Sequence, residues 1–282
     1  MNDERRFAAH FTDNLGLFTD LLLLRETGTV NSEGNYVVVR TPDAPDYFFG
    51  NLLFLRQRPA DSDIERLEHD FARLVGTPPR IAHRTFVWPE APGTPDSPVS
   101  ADAWVRQGYD LTVCRVLAAH PHDVRNVAIN PRIEVRRLES QRDGDDWSRM
   151  HFADLADPFA PSSRRYMAHL QATWRHLIER GLGDCWGAFV EDELAGSLGL
   201  FFLDGLGRFQ SVTTAKHHRN QRVCKTLVSE AIRLTTGRAE KLVMVADEAY
   251  YAGAIYESIG FRPHGRVASL CREPAIGATR PA

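Results

Sequence analysis

The stretch FQSVTTAKHHRNQRVCKTLVSEAI, Phe209 to Ile232, together with its continuation to Phe261, decides how the rest of the chain is read. It opens as a strand ending in Val212, Thr213 and Thr214. A polar turn follows, and from Val223 to about Thr235 the residues Leu227, Val228, Ala231 and Ile232 recur along one face of a helix. A strand, a loop and a helix start in this order leave about four backbone N–H groups without intrahelical partners, beside roughly half a positive charge. Arg219, Arg222 and Lys225 add three cations where they oppose the helix dipole, so the segment calls for an anion such as a pyrophosphate. A basic surface loop without a ligand is the alternative that these residues alone leave open.

Outward from this stretch the chain alternates strands and helices. KLVMVA (241–246) reads as a strand, the region around Tyr250 to Ser258 as a short helix and Gly265 to Cys271 as a last strand. Upstream lie a strand at IEVRRLE (133–139) and helices over about Trp147 to Leu155 and Tyr166 to Glu179. Strands Cys185 to Glu191 and Gly196 to Leu203 follow, turning on the acidic EDE. The first half predicts an antiparallel pair, Tyr36 to Arg40 and Tyr47 to Leu55, joined by TPDAPD. A helix capped by Ser62 and Glu65 comes next, with Ile64, Leu67, Phe71 and Leu74 on its core face. Then come a strand within Arg80 to Trp88, a Pro-rich loop, a short helix at Ala103 to Gln107 and a strand in GYDLTVCRVLA.

The halves share one signature. Trp104-Val-Arg-Gln-Gly108-Tyr109 aligns with Tyr256-Glu-Ser-Ile-Gly260-Phe261, each followed by a strand-like run, which points to a tandem duplication. A helix C-cap recurring by chance is the competing account.

Composition narrows the function classes. In 282 residues, 43% are hydrophobic and 25% charged, with 34 Lys plus Arg against 37 Asp plus Glu. That is an ordinary globular composition with no basic field for nucleic acid. No apolar run is long enough to span a bilayer, so the expectation is a cytoplasmic protein without membrane or nucleic-acid partners. Cys114, Cys185, Cys224 and Cys271 form no CxxC pair and read as reduced thiols. His120/His122 and the adjacent His217/His218 are the only pairs near metal-ligand spacing, and no metal is expected.

The Thr213 to Val228 segment, followed by a strand and Tyr256-x-x-x-Gly260-Phe261, resembles the GNAT superfamily of N-acyltransferases. Its fingerprint is a (Gln/Arg)-x-x-Gly-x-(Gly/Ala) loop opening a helix, with a Tyr-x-x-x-Gly-Phe element downstream. The resemblance covers about Ile133 to Arg272. It implies an α/β (α+β) class with two GNAT-like domains, each a mixed, mostly antiparallel twisted sheet flanked by helices. Residues 1–130 would be a degenerate copy without a cofactor site, 131–273 the acetyl-CoA-binding domain and 274–282 a flexible tail.

On that pattern Arg219 takes the Gln/Arg position, Asn220 and Gln221 the variable ones, Arg222 the glycine position and Cys224 the last small position. Acetyl-CoA is the implied co-substrate, held by Val212, Thr213 and Thr214 along its pantetheine arm and by Arg219 to Lys225, Val223 included, at its pyrophosphate. The implied reaction is direct attack of an amine on the thioester, with the Val212 N–H polarising the carbonyl and Tyr256 serving the leaving thiolate. The implied acceptor is a small-molecule or peptide amine, bordered by Asp157 to Arg165, and the protein is expected as a monomer or homodimer. Arg208-Phe-Gln-Ser211 lacks the carboxylate many relatives use as base, which leaves ordered water, His217 or His218. In the first half, Asp61, Asp63 and Glu65 crowd the corresponding helix start and would repel a pyrophosphate, and Trp104 replaces the phenol. Arg222 and the missing carboxylate motivate an alternative, a non-catalytic acyl-CoA-binding or regulatory module.

Overall fold

The computed structural model describes residues 11–90, 101–125, 128–153, 155 and 160–274. The loop expected over 91–100, the start of the 157–165 link and all but the first residue of the 274–282 tail lie outside them. Contacts divide the chain into two compact units: one holds the residues up to Val116, Asp247–Ala249 and the chain from His264, the other Leu117–Ala246 and Tyr250–Pro263.

In the first unit, helix α1 (Leu15–Thr27) precedes strands β1 (Thr29–Glu33), β2 (Tyr36–Arg40) and β3 (Leu52–Leu55). Helix α2 (Ile64–Leu74), strand β4 (Arg84–Glu90), helix α3 (Asp102–Arg106) and strand β5 (Asp110–Ala119) follow. The sheet order is β1-β2-β3-β4-β11, where β11 is the last strand, Arg262–Arg272. Ile64, Leu67, Phe71 and Leu74 are buried against Phe86, Trp88 and Trp104.

Three first-half expectations change. Tyr47 to Asn51 is not a strand. Asn51 draws the segment into a hydrogen-bonded loop, accepting from Thr41 N at 2.9 Å and donating to Ala44 O at 2.9 Å, and Phe48–Gly50 is a 3-10 turn. The helix start is served by Asp63, whose Oδ2 accepts from Ala60 N at 2.8 Å, and not by a Ser62–Glu65 box. Helix α1 and strand β1 come in addition to the expected elements. The former begins at Asn14, whose Oδ1 accepts from Leu17 N at 3.2 Å.

The second unit carries β6 (Ile133–Arg137), α4 (Gln141–Phe152), α5 (Pro161–Glu179), β7 (Gly183–Val190), β8 (Glu193–Leu203) and β9 (Leu206–Thr214). Helix α6 (Val223–Leu234), strand β10 (Lys241–Asp247) and helix α7 (Ala252–Ile259) complete it. Its strands run β10-β9-β8-β7-β6, antiparallel except for the parallel β9–β10 pair. Tight two-residue turns close the hairpins, Glu191-Asp192 (φ 49° and 67°) between β7 and β8 and Asp204-Gly205 (φ 48° and 75°) between β8 and β9. Leu227, Val228 and Ala231 of α6 pack on Trp186, Leu198, Leu200 and Met244.

The division differs from the expected 1–130 and 131–273. It cuts β5 at 116/117, and β11 from His264 onward belongs to the first unit, where it pairs antiparallel with β4 from Arg266↔Glu90 to Arg272↔Arg84. The repeated signature is structural as well as sequential. Tyr109 N donates to Trp104 O at 3.2 Å and Phe261 N to Tyr256 O at 3.2 Å, with Gly108 (φ 83°) and Gly260 (φ 123°) supplying the positive φ that ends each helix.

Candidate functional site

The β9 strand leaves its neighbours at one point. Its parallel register with β10 runs only through Leu206↔Lys241, Gly207↔Leu242 and Arg208↔Val243, so among the described residues Phe209 to Thr214 have no β10 partner. On the other edge Gly199 faces Gln210 and Ser197 faces Thr213, which sets Ser211 and Val212 opposite Leu198 alone. This is a β-bulge, and Ser211 takes φ 48° to form it. An edge that stops pairing within a sheet offers its N–H and C=O groups to a linear ligand. The Val212 side chain packs on the core cluster, while Ser211, Thr213 and Thr214 keep partial or full exposure.

After β9 a 3-10 turn, Lys216–His218, leads to Arg219. Asn220 (φ 62°) and Arg222 (φ 64°, ψ 16°) are both left-handed, and Arg222 caps α6. The glycine position therefore keeps the glycine conformation without the glycine. The Cβ of Arg222 strains the turn by about 1 kcal/mol. No side chain caps α6 and its first turn holds no acid, so its leading N–H groups remain uncapped by any side chain. Arg219 and Lys225 are half-buried, Arg222 and Gln221 exposed, and none of the three cations has a carboxylate partner among the described residues. Asn130 braces the loop, donating from Nδ2 to Gln221 O at 3.0 Å and from its own N to Thr226 Oγ1 at 3.0 Å. Gly196 lets α6 approach. A Cβ there would lie 2.9 Å from both Thr213 O and Val223 Cγ1.

Tyr256, 5% exposed on α7, meets the second residue of α6. Its hydroxyl and the Cys224 thiol are hydrogen-bonded. Burial pushes the phenol far above its ordinary range and the thiol up to about 12. Both stay protonated near neutrality. Tyr256 can thus steady a thiolate by donating a hydrogen bond, but full proton transfer to an ordinary thiolate, pKa about 8.5, runs uphill.

The two histidines offered as bases lie elsewhere. His217 Nε2 is 2.7 Å from Glu193 Oε1 and His218 Nε2 is 3.4 Å from Glu193 Oε2, at the start of β8. A different histidine stands by the bulge. His151, on α4, reaches Ser197 Oγ at 3.2 Å, and Ser197 is the fully buried partner of Thr213. The His151 ring packs 4.3 Å from that of Trp147, and Trp174 closes the far side at 6.4 Å. The four-residue spacing of Trp147 and His151 on a helix was the only sequence signal for this site, and it names a shared face rather than a role. Arg164 and Arg165 sit exposed in the first turn of α5.

At the corresponding helix start of the first unit the charged side chains pair with their own neighbours. Asp63 takes the Ala60 N–H and binds Arg66 at 2.7 Å, and Arg58 forks onto Glu90 at 2.9 and 2.6 Å. Trp104 is fully buried and has no hydroxyl to present.

Residues 147–261 match the model of a family described as Acetyltransferase (GNAT) family. Comparison with curated proteins gives no match. Among solved structures, a functionally unknown conserved protein from Staphylococcus epidermidis superposes with TM-score 0.69 at 14% identity, covering 88% of this chain and 94% of its own. A GCN5-related N-acetyltransferase from Kribbella flavida gives 0.58 at 16% identity, covering 92% and 94%. A tandem GNAT protein from the clavulanic acid biosynthesis pathway gives 0.54 at 12% identity, covering 99% and 97%. At these identities the likeness is one of fold, and it extends through both halves of the chain. No helix among the described residues is long and apolar enough to cross a membrane.

Proposed function

Because residues 147–261 match the model of the GNAT acetyltransferase family, we propose that the second unit moves an acetyl group from acetyl-CoA to an amine by direct attack. The observation that carries this reading is the conjunction of three features. Strand β9 parts from β10 at a bulge, α6 begins uncapped beside three cations that have no carboxylate partner among the described residues, and Tyr256 sits against that helix start.

In this reading the pantetheine arm pairs with Val212, Thr213 and Thr214, and the pyrophosphate rests on the N–H groups from Asn220 to Lys225. Arg219, Arg222 and Lys225 neutralise its charge, with a guanidinium able to grip it bidentately. The amine nitrogen forms its bond to the acetyl carbon while the Val212 N–H receives the charge on the carbonyl oxygen. The C–S bond then breaks and the thiolate leaves beside Tyr256, which donates a hydrogen bond to it. The proton shed by the amine passes to His151, through Ser197 Oγ or a water. This base replaces His217 and His218, whose imidazoles are engaged with Glu193. The acceptor is a small-molecule or peptide amine entering from the α4–α5 side, and the first unit binds no acyl-CoA because carboxylates, Asp63 among them, already serve its corresponding helix start and would repel a pyrophosphate.

The test is thiol release from acetyl-CoA over a panel of amines, alongside calorimetry with coenzyme A. Amine-dependent release is expected, with Tyr256→Phe losing about 10²-fold in kcat at unchanged coenzyme A affinity. Binding without release for every amine would indicate the acyl-CoA-binding module, which the absence of a carboxylate on β9 beside the bulge favours. No binding at all would remove both readings.

A further inference from the structure

Glu193, His217 and His218 come together at the entrance of β8, outside the machinery just described. One ligand atom from each lies within 4.8 Å of the other two. Sequence spacing showed only the adjacent histidines, because the third residue is 24 positions away. The Glu191-Asp192 turn delivers it. That turn takes positive φ at both residues and directs Glu193 into the first pair of the β7–β8 ladder, opposite Val190.

The contacts within the cluster do not satisfy all of its polar atoms. One carboxylate faces two imidazoles whose ring centroids are 4.3 Å apart. His218 is the difficulty: it is 9% exposed, its Nδ1 has no hydrogen-bond partner among the described residues, and its Nε2 has only Glu193 Oε2, at the long distance of 3.4 Å. A buried polar group left so costs about 1–3 kcal/mol and asks for an unseen partner such as an ion. One of the two distances suits an ion as it stands. In a tetrahedral zinc site, ligand bonds of about 2.0–2.2 Å put neighbouring donor atoms roughly 3.3–3.5 Å apart. Here Nε2 of His218 is 3.4 Å from Glu193 Oε2, within that spacing, while Nε2 of His217 is 2.7 Å from Oε1, a hydrogen-bond length that the exposed His217 ring lengthens by under about 1 Å to admit the ion.

We infer that Glu193, His217 and His218 bind a divalent transition-metal ion of the zinc class, with the lone pairs of two neutral imidazoles and one carboxylate as ligands. Two imidazoles and a carboxylate are a borderline donor set that selects zinc or its neighbours over calcium or magnesium. The coordination sphere stays open on one side. Glu193 and His217 are exposed and face a groove of about 560 Å³ whose wall includes Arg149, Met150 and Lys216. The ion ties the start of β8 to the turn that immediately precedes Arg219, so binding stiffens the approach to the α6 loop.

The proposal is independent of acetyl transfer and is tested on the full chain without an activity assay. After chelator treatment, zinc chloride is titrated calorimetrically into wild type, Glu193→Gln, His217→Ala and a His120→Ala/His122→Ala double variant. The first two substitutions alter exposed side chains, so the fold is retained, as circular dichroism checks. One saturable site is expected in wild type, weakened at least tenfold by Glu193→Gln and by His217→Ala and unchanged in the double variant. Cobalt bound to wild type should show the visible absorption of a low-coordinate nitrogen and oxygen site. Absence of saturable zinc binding, affinity that survives both single substitutions, or loss confined to the His120/His122 variant would each overturn the assignment.

Discussion

At the residue scale, Arg222 separates what a backbone does from what a side chain does. Its left-handed φ of 64° is the conformation a glycine would take without strain. Arg222→Gly is expected to keep stability within about 0.5 kcal/mol, because relief of strain offsets the greater freedom of glycine in the unfolded chain. Arg222→Ala keeps the strain. If the guanidinium holds phosphate, both variants lose about 3- to 10-fold in coenzyme A affinity, on the order of 1 kcal/mol, when measured by calorimetry. A loss confined to one of them would reassign the role to the backbone. His83 gives a pH prediction with a definite sign. Burial lowers it from 6.5 to about 4 while its Nε2 lies 2.9 Å from the Asn51 carbonyl. The unfolded chain takes up a proton below about 6.5 and the native one only near 4. Stability that is complete above that window is therefore lost on acidification through it, by about 3 kcal/mol at roughly 1.4 kcal/mol per unit. Asp143, held far below the ordinary carboxylate range first of all by Arg136, adds its loss only at lower pH, below about 4. Urea unfolding of wild type and His83→Gln at pH 7 and pH 5 should show the larger pH effect in wild type. The sequence exposed Arg219, Arg222, Cys224 and Tyr256 because their spacing along one loop and one helix is local. It hid His151 and Glu193, whose partners Ser197 and His217 lie on other elements.

At the element scale, the bulge and the helix it feeds are the parts most sensitive to small changes. Ser211 holds φ 48° with a short polar side chain, whereas a β-branched residue is a genuine outlier there. Ser211→Val is expected to cost about 1–3 kcal/mol and to flatten the bulge, and Ser211→Gly to be nearly silent. Gly196→Ala is a second probe, since the new methyl would press on Thr213 O and Val223 Cγ1 at 2.9 Å. It should displace the start of α6 and raise the acetyl-CoA KM more than it lowers Tm, whereas a lower Tm with unchanged KM would show that the contact is packing alone. Elements with one buried stripe were legible. The α2 pattern of Ile64, Leu67, Phe71 and Leu74 appears in the structure as written, and so does the α6 face. Helix α1 was not, because its LGLFTDLLLL run buries residues on all sides and so has no polar face to set a period. Strand β1, TVNSE, is polar and mostly exposed, so nothing in its composition distinguishes it from a loop.

At the scale of the whole molecule, the traded strand decides how the two halves depend on each other. The duplication was visible because Trp104 to Tyr109 and Tyr256 to Phe261 repeat a local helix ending. The partner of the final strand was not, because Arg266 and Glu90 meet across 176 positions, the difference between their numbers. Strand β11 brings Ala268 and Leu270 into the first unit's core, against Phe86 and Trp88. Removing it strips apolar cover worth about 1.5–3 kcal/mol for the leucine alone and bares the edge of β4, which becomes a site for non-specific pairing. A fragment of 1–130 lacks this strand, and a fragment of 131–282 carries it without β4 while losing Leu117 and Ala119 from the second unit's core. Neither is expected to stay soluble or to unfold cooperatively by itself, and co-expression should recover a soluble pair. A cooperative thermal transition from either fragment on its own would show that the strand exchange is dispensable and that each sequence repeat is a self-sufficient folding unit.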